Sequence, residues 1–240
     1  MILCLDSGNT RIKWGLHDGQ QWLAQGAVAQ ADAAGLAVLP AQWPQPERVM
    51  LANVAGAAAG ERIRQALADW SPLICEVKSE AKCAGVTNLY QTPTQLGVDR
   101  WCALIGARGL STSAALVVMA GTATTIDTLD ADGNFLGGLI LPGIDLMRRS
   151  LARDTAALPL AEGGWQAHPK STGDAIVSGA IEATLGAIER AFQRLPGTGG
   201  QCFLSGGNSN VIIPALVIPC VPVDNLPLEG LKDIARQYRA

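Results

Sequence analysis

The sequence predicts an α/β protein built from two similar halves, and three observations carry that expectation. A strand, glycine turn, strand and Asp-Gly pattern occurs at the N-terminus and again in mid-chain. Around these copies, buried-strand patterns alternate with helical ones. Three strands also end in glycine-containing turns, "DSGNTRIK", "AGTATT" and "SGGNSN".

The elements follow in order. Residues 2–5 read as an apolar strand, 7–10 as a turn, 12–16 as a second strand, and Asp18-Gly19 as a hairpin turn suited to positive φ. "RVMLANVA" reads as a buried strand, and "ERIRQALADW" as a helix with Ile63, Leu67 and Trp70 on one face. "PLICEV" adds a strand, and residues 94–110 carry a helix that turns Leu104 and Ile105 toward a core. The second copy runs through "AALVVM", "AGTATT" and "TIDTL" to a hairpin at Asp132-Gly133. Laying Gly8 on Gly121 places Asp6 on Met119 and Asn9 on Thr122. A long helix is expected from about Gly173, capped by Ser171 or Thr172, with Val177, Ile181, Leu185, Ile188, Phe192 and Leu195 at spacings of three and four. "CFLSGGNSN" gives a further strand and glycine turn. The expected division is residues 1–112 and 113–240.

Composition bounds the function. At 240 residues and 48% hydrophobic, the chain has a sizeable core to bury. Its net charge of −3 argues against a sequence-independent nucleic-acid binder, which needs a basic surface. The six cysteines form no C-x-x-C pair and no close cluster with the two histidines, as expected of reduced thiols in a cytoplasmic protein. Asp6 interrupts the first apolar run too early for a signal sequence or a membrane span.

Each glycine turn at a strand end can present backbone N–H groups to phosphate oxygens. One such turn alone more often just reverses the chain; three together favour a nucleotide between two lobes. Neither a P-loop nor a strand-linked G-x-G-x-x-G is present. Asp6 can hold Mg²⁺ directly or through water, while Gly8, Asn9, Thr10 and Lys13 meet the phosphates. The competing reading is an Asx turn at Asp6. In "LGVDRW", Asp99 can take a hydroxyl proton and Arg100 can grip a carboxylate with its planar fork. A surface charge pair on a helix is the alternative. His17, beside the first hairpin turn, and His168, in a Pro- and Gly-containing loop, are poorly placed as bases.

Taken together, "DSGNTRIKWGL", "LYQTPTQLGVDRW", "GTATTIDTLDADGNFLGGLILPGIDLMRRSLARDTAALP", "STGDAIVSG" and "LSGGN" resemble, in the same order, the type III pantothenate kinases of the acetate-and-sugar-kinase/Hsp70/actin superfamily. The resemblance implies two duplicated ribonuclease-H-like subdomains with a nucleotide cleft between them. It implies ATP-dependent phosphorylation of pantothenate to 4′-phosphopantothenate, the first step of coenzyme A biosynthesis. Asp6, Ser7, Gly8, Asn9, Thr10, Arg11, Ile12 and Lys13 would form the first phosphate loop, with Asp6 near Mg²⁺, and Thr122 would contact ATP from the second loop. The "LSGGN" turn would lie on the adenosine side. Tyr90, Gly97, Val98, Asp99, Arg100 and Thr172 would line the pantothenate site, with Asp99 the general base. A homodimer is implied, with no nucleic-acid or membrane partner. Gly179 and Gly186 on the long helix suit close packing, between subunits or within one. Many members carry an aspartate that holds a monovalent cation where this chain has Met119, which leaves dependence on potassium or ammonium open. The rival function is a transcriptional accessory or regulatory protein on the same fold without kinase activity.

Overall fold

The computed structural model describes residues 1–160 and 162–237. The chain divides into two compact units. The first comprises Met1–Thr112, Gly133–Phe135 and the C-terminal stretch from Asn225; the second comprises Ser113–Asp132 and Leu136–Asp224.

In the first unit, β1 (Ile2–Ser7) is buried along its whole length, as a central strand must be. It pairs antiparallel with β2 (Arg11–His17), which pairs with β3 (Trp22–Ala29). β3 alternates half-buried and exposed positions, the pattern of an edge strand. After α1 (Val38–Gln42), β4 (Arg48–Asn53) returns parallel to β1, and α2 (Ala57–Ala66) leads to β5 (Ile74–Glu76). The order is β3-β2-β1-β4-β5. The short β6 (Lys82–Cys83) and β7 (Val86–Asn88) pair antiparallel, and α3 (Val98–Leu110) follows. Leu3, Leu5, Ile12, Leu16, Ile63 and Leu67 form one core with Trp70.

Two helices are shorter than their patterns predict. α2 ends at Ala66, where Leu67 leaves the helical region, and residues 68–73 form a separate tighter turn that contains Pro72. Trp70 nonetheless reaches the core. α3 starts at Val98 because Pro93 opens only a single tight turn, after which Leu96 and Gly97 are extended.

The second unit repeats the plan. β8 (Ala115–Ala120) pairs antiparallel with β9 (Ala123–Leu129), and β10 (Asn134–Pro142) follows. The first two residues of β10 belong to the first unit, where they pair with β7. Then come α4 (Ile144–Asp154), α5 (Thr172–Phe192), β11 (Gln201–Ser205), α6 (Ser209–Ile212) and β12 (Cys220–Pro222). The order β12-β11-β8-β9-β10 reproduces that of the first sheet. The register agrees as well: Ile2 faces Arg48 across β1 and β4, and Ala115 faces Gln201 across β8 and β11. The Val54 N–H donates to the Ser7 carbonyl as the Asn208 N–H donates to that of Ala120, each at 3.0 Å. The expected duplication is therefore present in topology and in register.

The two glycine turns differ in one respect. The Gly8 N–H closes on the Arg11 carbonyl at 3.1 Å, whereas the Gly121 N–H closes on that of Ala123 at 3.0 Å, one residue sooner. Asp6 thus stands opposite Lys13, and Met119 opposite Thr125. Both hairpin glycines, Gly19 and Gly133, take the positive φ expected of them.

The stripe on α5 is observed: Val177, Ile181, Leu185 and Ile188 are buried with Leu116, Val118 and Leu204, and Phe192 and Leu195 pack at the margin. Ser171 caps this helix, its hydroxyl accepting from the Asp174 N–H at 3.1 Å. The last helix, α7 (Leu226–Gln237), belongs to the first unit rather than the second. Its buried Leu226, Leu228, Leu231 and Ile234 supply the reason. Among the described residues no helix is long and apolar enough to cross a membrane, and all six cysteines are free.

Candidate active site

The first unit brings together a cluster of charges. β1 ends at Asp6 and Ser7, and the antiparallel register sets Asp6 beside Lys13. Asp6 is buried, and loss of hydration pushes its carboxyl up to about 6, against the opposing pull of Lys13 and with a further push from Asp99. Asp6, Lys13 and Asp99 therefore share one electrostatic neighbourhood although Asp99 lies far along the chain. Burial and the Asp99 charge both disfavour its ionised form, which a nearby cation would stabilise. Among the described residues no group of three or more His, Cys, Asp or Glu side chains could hold a metal.

The rest of the first loop divides by side. Gly8 is half-buried, while Asn9, Thr10 and Arg11 are exposed. The Ser7 side chain is wholly buried and accepts from Gln30 Nε2 at 3.3 Å, and Ile12 lies in the hydrophobic core. Those two offer a ligand their backbone rather than their side chains.

Asp99 occupies the first turn of α3, half-buried, with the extended Gly97 before the helix. A Cβ at Gly97 would stand 2.7 Å from Asp99 Oδ1. Gly97→Ala is accordingly expected to leave the fold intact while displacing the carboxylate. Turnover should fall by about tenfold or more, since small misplacements of reacting groups are costly. Steady-state kinetics beside a thermal melt checks this, and unchanged turnover would mean that Asp99 tolerates being moved.

Arg100, the next residue, is buried. Its Nη1 donates to the Tyr90 hydroxyl at 3.3 Å, and its guanidinium carbon lies 5.8 Å from the ring centres of both Tyr90 and Phe135. The two rings are themselves 5.0 Å apart. Asn88 shapes the Tyr90 loop: its Oδ1 accepts from the Tyr90 N–H, and its Nδ2 donates to the Pro93 carbonyl, each at 3.1 Å. Phe135 and Asn88 were not evident from the sequence. Asn88 had a usable local signal, an Asx turn two residues before Tyr90; Phe135 had none, because only strand pairing carries it there.

The second unit holds its own cluster of backbone turns. Thr122 is exposed, and its carbonyl accepts from the Gly143 N–H at 3.0 Å. Asn208 Nδ2 donates to the Gly121 carbonyl at 3.4 Å, so the "AGTATT" and "SGGN" turns lie side by side. Thr172 is exposed in the first turn of α5. Met119 is half-buried, and Asp127 is fully buried opposite Val117.

With the geometry described, known proteins bear on the family. The model for type III pantothenate kinases matches residues 2–194. A type III pantothenate kinase from Dechloromonas aromatica is 63% identical, covering 98% of this chain and 99% of the relative. The chain belongs to the type III pantothenate kinase family. A second relative in the family, from Aromatoleum aromaticum, is 50% identical with full coverage of both chains. Among solved structures, a Baf-family protein from Campylobacter jejuni, which bears a transcriptional-activator description, covers 99% of this chain and 98% of its own with a TM-score of 0.66. The activator of the 2-hydroxyisocaproyl-CoA dehydratase from Clostridium difficile covers 98% and 92% with a TM-score of 0.55. At 18% and 12% identity these two speak for the fold alone. They agree with the duplicated ribonuclease-H-like plan seen in the strand order.

Proposed function

We propose that this type III pantothenate kinase family member transfers the γ-phosphoryl group of ATP to the primary hydroxyl of pantothenate, yielding 4′-phosphopantothenate for coenzyme A biosynthesis. The observation that supports it most is the start of α3, which sets Asp99 into the electrostatic field of Asp6 and carries the aromatic-flanked Arg100 next to it. Phosphoryl transfer needs mainly positioning and charge neutralisation. Asp99 would orient the attacking hydroxyl and accept its proton. Arg100, steadied by Tyr90 and Phe135, would grip the carboxylate of pantothenate through its fork. Gly97 and Val98 would line the same substrate, with Thr172 as a further contact. Asp6 would hold Mg²⁺ directly or through water; the metal would neutralise phosphate charge. The residues from Ser7 to Lys13, together with Thr122, would contact the phosphates. A homodimer in the cytoplasm completes the reading. Gly179 and Gly186 support it, since both are exposed and a Cβ on either would meet nothing outside the neighbouring turns of its own helix within 4 Å among the described residues.

The test is a coupled ADP-release assay with ATP, Mg²⁺ and pantothenate, run with potassium and with a large organic cation. Pantothenate-dependent release supports the kinase, and its absence from folded protein would favour the regulatory alternative. The cation comparison decides whether Met119 has removed potassium dependence. In the same assay, Arg100→Lys keeps the charge but loses the fork, so KM for pantothenate should rise by about tenfold, with KM for ATP unchanged. Parental KM for pantothenate in that variant would remove the carboxylate clamp.

Asp6 predicts a pH dependence. Its folded pKa is raised above its unfolded value, so the unfolded chain releases the proton first. The contribution of Asp6 to stability is present below about pH 4 and declines as pH rises through about 6. Magnesium needs the ionised form, so apparent Mg²⁺ affinity with ATP should weaken as pH falls below about 6. Titration of Mg²⁺ activation across that range checks it, with Asp6→Asn as the variant that should lose the step.

A further inference from the structure

We propose that Cys202 and Cys220 form an oxidisable dithiol that a hydroperoxide converts into a disulfide, closing a covalent ring around the turn at Gly206–Asn208. The two cysteines are direct partners in the parallel register of β11 and β12. Adjacent strands place such partners roughly 4.8 Å apart, inside the roughly 4.4–6.8 Å window of Cα separations that disulfides occupy. Both side chains lie against the same core cluster, so they point to one face of the sheet.

The pair is also asymmetric in the way such chemistry requires. Cys202 is fully buried, whereas Cys220 is half-buried on the outer strand β12. The neighbouring Cys202 thiol lowers the pKa of Cys220, while burial pushes the thiols of Cys4, Cys83 and Cys102 up. The Cys220 thiolate attacks one peroxide oxygen and the O–O bond breaks. Cys220 becomes a sulfenic acid, and the other oxygen takes up the proton that Cys220 released on ionising and leaves as water or an alcohol. Cys202 sulfur then attacks Cys220 sulfur, the S–O bond breaks, and the oxygen leaves as water with the Cys202 proton. Two electrons pass from the dithiol to the peroxide, and a thiol reductant reverses the change by exchange.

The segment so enclosed contains Ser205, Gly206, Gly207 and Asn208. Gly206 has φ +114 and lies so close to the Ala120 backbone that no side chain fits, and the Asn208 N–H donates to the Ala120 carbonyl at 3.0 Å. The turn is thus held at one end by β8 and would be held at the other by the new bond. Its consequence for the nucleotide rests on the reading of this turn as the adenosine side of the proposed kinase.

The experiment treats reduced full-length protein with hydrogen peroxide, alkylates the remaining thiols and maps chymotryptic peptides by mass spectrometry. A linked Cys202–Cys220 pair is expected, abolished by dithiothreitol and absent from Cys220→Ser. ATP affinity, measured without pantothenate, should differ by about fivefold or more between the two redox states, the lower end of ordinary coupling between sites. Alkylatable Cys202 and Cys220 after peroxide, Cys220 carried only to the sulfinic acid, or a different linked pair would overturn the dithiol. A linked pair with unchanged ATP affinity would overturn its consequence for the turn. The peptide map needs no kinase activity, so it is independent of whether the kinase reading holds.

Discussion

Asp99→Asn is expected to lower turnover by roughly 10²–10⁴-fold, the range for loss of a positioned general base. Asparagine keeps the size and the hydrogen-bonding outline of the side chain, so the α3 start and its Gly97 neighbour have no reason to rearrange. What disappears is the ability to accept the hydroxyl proton and one negative charge near Asp6. Because Asp99 helps push the Asp6 carboxyl up, its neutralisation should also lower the pH at which Mg²⁺ activation begins. This second effect separates the two explanations of a slow variant. Reduced turnover with near-parental ATP and pantothenate KM, and with the Mg²⁺ profile moved to lower pH, fits a base in place beside Asp6. A variant with full turnover would remove the base assignment, and an unmoved Mg²⁺ profile would separate Asp99 from Asp6.

Gly230→Ala is expected to have the largest effect on stability. Taken alone, alanine is favoured over glycine in a helix interior by about 1 kcal/mol. Here, however, a Cβ at Gly230 on α7 would overlap the Cys102 carbonyl on α3, and one at Gly106 on α3 would meet the Leu226 carbonyl in return. Backbone cannot swing aside as a side-chain tip can. The helices must separate, and overpacking of this kind costs typically about 1–3 kcal/mol and sometimes more. Separation would also loosen Leu226, Leu228, Leu231 and Ile234, which are buried, so a net loss of about 2 kcal/mol or more is expected. Urea unfolding of the two proteins measures it. A midpoint equal to or above the parent would mean that α7 is seated less tightly than this contact requires.

Much of the fold was legible because strand and helix patterns are local. The unbroken apolar run of β1 and the α5 stripe follow from which side chains avoid water, continuously in a central strand and at a period of 3.6 in a helix. The duplication was legible too, since a turn glycine and an Asp-Gly hairpin leave marks in sequence at both copies. The helix ends were less so: tight turns at residues 68–73 and 93–95 stand where apolar spacing suggested continued helix.

The residues of the candidate site were readable as types in motifs. Asp6, Asp99 and Arg100 stand out because charged groups are set among apolar neighbours, a costly arrangement without a purpose. Their relations were not readable from spacing. That Asp99 acts on Asp6, that Arg100 lies against Phe135, and that α7 returns to the first unit all depend on contacts between segments distant in the chain. The sequence by itself determined the elements, their repetition and the chemical groups available, because these follow from local hydrophobicity and turn chemistry. Only the tertiary structure decided which carboxylate feels which, which thiols face each other, and where burial shifts a proton. Those properties belong to distance and dielectric, which no linear spacing carries.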